Sequence, residues 1–113
     1  MKNVFFFTAF LLIGFYAISN PQPINLNCPS PVNVSVTDQY AGAISFDWED
    51  CVGGCNSYSV WYETGDYTSQ QYLTNNSDIS YSGLSAGTYD FYFVTDCGGA
   101  KSDAIVIEDR LIQ

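Results

Sequence analysis

From residue 32 to residue 107 apolar and polar side chains alternate in short runs of period two. That pattern predicts strands with one buried and one exposed face. Val32, Val34 and Val36 alternate with Asn33, Ser35 and Thr37, and Ile44, Phe46 and Trp48 with Ser45, Asp47 and Glu49. Tyr58, Val60 and Tyr62 make a third inward row, with Ser59, Trp61 and Glu63 opposite. A polar, edge-like strand is expected at about 67–73, and Ile79 and Tyr81 lead toward Leu84. Tyr89, Phe91, Phe93 and Thr95 alternate with Asp90, Tyr92, Val94 and Asp96, and Ala104 to Ile107 forms the last run. Turn residues separate these runs at Asp38–Gly42, Asp50–Asn56, Thr64–Asp66, Thr74–Ser77, Ser82–Gly87 and Gly98-Gly99. No helical period outlasts a single turn. Seven short strands with turns about every ten residues predict an all-β antiparallel sandwich.

The ends of the chain read differently. Met1-Lys2-Asn3 is a short basic start, Val4 to Ala17 is almost unbroken apolar sequence, and Ala17-Ile18-Ser19 places small residues where a signal peptidase inspects. Residues 1–19 are therefore expected to be a signal peptide, the apolar run falling short of the roughly 20 residues a membrane span needs. No membrane insertion is expected after cleavage. Pro21, Pro23 and Pro29 make residues 20–30 an extended lead-in. The sandwich is expected over 31–108 and a tail over 109–113.

Charge narrows the partners. Beyond residue 19, Lys101 and Arg110 stand against twelve Asp and Glu. Such a surface repels nucleic acid and anionic lipid, so neither is an expected partner. A domain this small buries only about 60–65% of its unfolded surface, so cross-links would add needed stability. Four cysteines in a secreted or cell-surface chain are expected to supply them. Pairing Cys28 with Cys97 and Cys51 with Cys55 is worth roughly 4.4 and 2.1 kcal/mol in chain entropy; Cys28–Cys51 with Cys55–Cys97 is worth roughly 3.4 and 4.0. That difference does not choose between them.

Three stretches carry a resemblance. Ile44-Ser45-Phe46-Asp47-Trp48, Tyr58-Ser59-Val60-Trp61-Tyr62 and Gly83-Leu84-Ser85-Ala86-Gly87-Thr88-Tyr89 resemble a fibronectin type III domain over about residues 28–108. The resemblance implies a seven-stranded, immunoglobulin-like sandwich without a catalytic site. Such domains usually have one more residue between the Leu and the corner Tyr, and a Pro where Ala86 stands, so the corner hydrogen bond of Tyr89 is left open. Val36-Thr37-Asp38, Gly42-Ala43-Ile44, Gly53-Gly54, Tyr58, Gly83 to Tyr89 and Val94-Thr95-Asp96 are similar, in that order, to repeat modules of gliding-motility adhesins of bacteria. Fibronectin-like bacterial domains often begin near a Cys and end this strand on Cys-Gly, which implies the pairing Cys28–Cys97 with Cys51–Cys55.

Candidate chemistry is sparse. Without His the usual nucleophilic triads have no base, and Cys51-x-x-x-Cys55 lacks the spacing of a redox pair. No cofactor is expected. Asp47, Glu49 and Asp50 offer hard oxygen ligands and are weak calcium candidates, though no Asp-x-Asp-x-Asp-Gly loop is present. The aromatics say more. Trp61, Tyr92 and Val94 fall on outward positions of two strands expected to be neighbours, with Tyr67 or Tyr72 alongside. Exposed Trp and Tyr on one sheet face are typical of binding hot spots. The expected function is therefore a non-catalytic interaction or adhesion module meeting a protein partner or surface assembly. A small carbohydrate-binding module using the same rings and an inhibitor acting through its loops are the alternatives.

Overall fold

The computed structural model describes residues 28–113 apart from 54 and 56. The expected signal peptide, and the lead-in up to residue 27, lie outside the described residues. Among the described residues eight strands follow one another: β1 (Ser35–Tyr40), β2 (Ala43–Asp47), β3 (Ser57–Thr64), β4 (Tyr67–Thr68), β5 (Tyr72–Thr74), β6 (Asp78–Tyr81), β7 (Gly87–Asp96) and β8 (Ile105–Ile112). Antiparallel pairing builds one sheet in the order β1-β2-β6 and a second in the order β4-β3-β7-β8, with β5 also pairing β3. The two sheets face each other over an aromatic core, as alternation requires of a sandwich. Phe46 of β2 meets Phe91 and Phe93 of β7 with ring centroids 4.7 and 5.0 Å apart, and Trp48 packs edge-on against Tyr58 at 5.1 Å. Tyr62 meets Tyr81 at 5.5 Å and Tyr89 at 5.3 Å, extending the core toward the far pole.

Strict alternation breaks in four places among the described residues, one of them in β1, where Thr37 is an extra residue between Val36, opposite Phe46, and Asp38, opposite Ser45. Asn33 adopts a left-handed backbone (φ 59°), which an Asn tolerates, and the strand expected from Val32 begins only at Ser35. Thr68 pairs with Glu63 and Tyr72 with Val60, so three residues (Ser69 to Gln71) stand opposite two on β3. The expected strand at 67–73 is therefore two short strands around an inserted residue. Ser69 fills the gap: its N–H donates to the Tyr62 carbonyl (2.8 Å), and its hydroxyl accepts from the Tyr62 N–H (2.9 Å). On β8, Tyr89 pairs with Arg110 but Phe91 with Ile107, so Glu108 and Asp109 face the single residue Asp90. Asp109 takes the left-handed backbone (φ 58°), and its N–H is held by the Asp90 carboxylate at 2.9 Å.

That last bulge corrects the expected tail at 109–113. β8 runs on to Ile112, which is fully buried in the core, and the Gln113 carbonyl accepts from the Gly42 N–H at 2.7 Å. Gly42, left-handed at φ 69°, also accepts from the Leu84 N–H (2.9 Å), so the turn between β1 and β2 is tied to both the β6–β7 turn and the chain end. At that end the Tyr89 hydroxyl donates to the Ser85 carbonyl at 2.7 Å, so the corner bond forms despite the shorter turn.

Candidate functional site

The outer face of the larger sheet is built by register. Leu73, Ser59 and Val94 form one cross-strand row; Trp61, Tyr92 and Val106 form the next; Glu63 and Asp90 form a third. The Trp61 and Tyr92 rings are stacked, with centroids 5.2 Å apart and planes within 2°. Stacked aromatic pairs add about 0.5–1.5 kcal/mol beyond buried area. The Tyr92 hydroxyl donates to Glu63 Oε1 at 2.9 Å, which ties the aromatic row to the acidic one. That bond, desolvation and the charges of Glu63, Asp90 and Glu108 push the Tyr92 phenol above its ordinary pKa.

Two of the expected face residues offer no open surface there. Tyr72 points inward: the inserted residue at 69–71 moves it opposite Val60, and it packs edge-on against Tyr81 at 5.1 Å. Leu73 takes the outward position and is 70% exposed. The uninterrupted alternation read into this segment concealed it. Val94 does lie on the outer side, but it is 6% exposed and so offers little surface. Its cross-strand partner Ser59 is buried as well. Trp61 and Tyr92 are half-buried, and Val106 on β8, not singled out from the sequence, completes their row with its side chain exposed.

The opposite concern, a cation site, finds its residues dispersed. Asp47 pairs with Ser35 and Asp78 in the smaller sheet. The Glu49 carboxylate accepts from the Asn33 amide and the Asp50 carboxylate from the Ser77 hydroxyl. Among the described residues no three carboxylates or thiols converge into a metal-sized cluster.

The cysteines close one pole. Cys28 is bonded to Cys97 and Cys51 to Cys55. Cys28 is buried, whereas the Cys51–Cys55 loop is partly exposed, with Val52 almost wholly in solvent. The Tyr58 hydroxyl anchors this loop by accepting from the Cys51 N–H at 3.1 Å. Across the pole Asp96 pairs with Lys101 at 2.9 Å; this contact and the Gly98 N–H hold the Asp96 carboxyl below its ordinary pKa. Beside the loop lies a groove of about 240 Å³ between Pro29–Val32 and Glu49–Val52, with Tyr58 and Thr95 in its lining.

Two antiparallel sheets of this order, closed by a tyrosine corner, define a fibronectin type III-like sandwich. Comparison with solved structures agrees. The fibronectin type III domain of the human collagen alpha-1(XX) chain superposes with a TM-score of 0.66 at 16% identity, over 76% of this chain and 86% of that one. Domains d3–d4 of the rat CD45 extracellular region give 0.62 at 11%, over 74% of this chain and 51% of that one. A computationally redesigned β-sandwich protein gives 0.61 at 15%, over 74% and 89%. No protein-family model matches the chain, and no curated protein does.

Proposed function

We propose that the chain is a non-catalytic binding module of a secreted or cell-surface protein, meeting a protein partner through the outer face of its larger sheet. The observation that carries this is the stacked Trp61–Tyr92 pair, flanked by exposed Leu73 and Val106. Trp and Tyr anchors ringed by lesser contacts are how protein interfaces concentrate affinity. The acidic row beside them, Glu63 and Asp90, favours a partner with a basic rim. Fibronectin type III-like folds commonly serve as recognition modules, and a four-cysteine framework suits an extracellular setting. Each of the two rings already uses one face on the other, which leaves less flat aromatic surface for stacking a sugar and favours the protein reading over the glycan one.

The test is affinity capture on the immobilised protein, identification of the bound species, and titration of that purified partner against variants. Trp61→Ala and Leu73→Ser are each expected to weaken it tenfold or more, about 1.4 kcal/mol. Unchanged affinity in both variants removes the face from the interface. A soluble glycan that quenches the Trp61 fluorescence in a saturable way replaces the protein reading with the carbohydrate one.

A further inference from the structure

The groove at the cysteine pole has a chemistry of its own, independent of the sheet face. Its walls are largely apolar, formed by Pro29, Pro31, Val32 and Val52 with the Tyr58 ring. Glu49 and Asp50, both exposed, stand in the same lining. Their carboxylates meet neutral donors only in Asn33 and Ser77. The two cations of the described residues are engaged elsewhere, Lys101 on Asp96 and Arg110 on Gln39 at the far end of the sandwich. Thr95, also in the lining, is 1% exposed, and its hydroxyl oxygen has no hydrogen-bond partner. Alternation along β7 turns Thr95 inward, in line with Tyr89, Phe91 and Phe93, and the residue borders the groove. A buried hydroxyl without a partner is a cost that an incoming donor would relieve.

We infer that this groove is a socket for a basic side chain of a protein partner: the aliphatic stem of a lysine or arginine lies against Pro29, Pro31 and Val52, and its cationic head meets Glu49, Asp50 and the Thr95 hydroxyl. Stems of this kind bury readily on apolar surface while the charged head seeks polar partners. Charge complementarity is general as well as local, because the strongly acidic chain draws basic partners toward it. The socket is on a different surface from Trp61, so a partner could use either or both.

The test uses the mature chain and three probes: N-acetyl-lysine methylamide, the corresponding arginine compound and the isosteric norleucine compound. Heteronuclear NMR is expected to show saturable shifts centred on Glu49, Cys51, Val52 and Thr95 with the two cationic probes, weakening as salt rises. Norleucine, which keeps the stem and lacks the charge, is expected to bind at least tenfold more weakly. The double variant Glu49→Gln/Asp50→Asn is expected to lose binding to the same extent, and Leu111→Ala, exposed at the far end of the sandwich, to bind as the parent does. Thr95→Val, which keeps the shape and removes the hydroxyl, is expected to weaken the cationic probes; should it fail to fold, the surface carboxylate variants still decide the matter. Absence of saturable shifts overturns the proposal, as does equal binding of norleucine. Binding that survives the double variant, or that Leu111→Ala abolishes, also overturns it by placing the probe elsewhere.

Discussion

The Tyr89 hydroxyl donates to the carbonyl oxygen of Ser85, four residues back, at 2.7 Å. The bond pins the Gly83–Gly87 turn to the strand it feeds, at the end of the core where Tyr62 and Tyr89 meet. Tyr89→Phe keeps the ring in its buried place and removes only the donor. It is expected to lower stability by about 1 kcal/mol, read as a lower urea midpoint at unchanged slope. A variant as stable as the parent would mean that water replaces this bond without loss.

The two disulfides should differ in worth because they close loops of very different length. Cys28–Cys97 spans 69 residues and Cys51–Cys55 spans 4. Chain entropy gives about 4 kcal/mol for the first and about 2 kcal/mol for the second. Replacing Cys28 and Cys97 together by Ser is expected to cost the more, in urea unfolding of the otherwise oxidised protein. Replacing Cys51 and Cys55 should leave a folded core. The reverse order of cost would contradict this account.

Ile112 and Leu111 test the bulge in β8 against each other. With the extra residue at 108–109, Ile112 is fully buried and Leu111 is 56% exposed; without it the two would exchange faces. Ile112→Ala is expected to cost about 2–5 kcal/mol, and Leu111→Ala to change stability by about 0.5 kcal/mol or less. Thermal and urea unfolding of the two variants decide it. Comparable losses would show that the register is otherwise.

Burial, followed by the neighbouring Tyr72 and Tyr62, raises the Tyr81 phenol above its ordinary 10.0. Below pH 10 both folded and unfolded chains keep the proton, and Tyr81 adds no pH dependence. Above it the unfolded chain releases its proton first, so stability falls with rising pH until the folded phenol also ionises. Tyr81→Phe should flatten this alkaline fall, measured as urea midpoints on a rising pH series. Parallel curves for the parent and the variant would assign the fall to other groups.

Much of this fold is legible wherever alternation runs unbroken. Ile44 to Trp48, Tyr58 to Tyr62 and Tyr89 to Thr95 show their inward rows directly, because a pleated strand sends successive side chains to opposite faces. The pattern misleads where one residue is added. The insertion at 69–71 turns Tyr72 in and Leu73 out, and the one at 108–109 carries Ile112 into the core from a segment read as a tail. Period-two reading has no means of counting an unpaired residue. Trp61 and Tyr92 were visible as outward aromatics, but alternation assigns only a face, and it gave no sign that Val94 on that face is buried. The pole groove was beyond sequence reading for a related reason. It is assembled from Pro29–Val32, Glu49–Val52, Tyr58 and Thr95, segments whose nearness only the closed sandwich determines.

The interruption between β4 and β5 bears on solubility. An open strand edge offers unpaired N–H and C=O groups to any other chain, and long flat edges invite intermolecular sheet growth. Here the outermost strands on that side are two and three residues long, offset by the inserted residue and stitched to β3 through Ser69. A second molecule finds no continuous ladder to extend. Ser69→Val would remove the hydroxyl that occupies the break, leaving an edge more prone to self-association as the protein is concentrated.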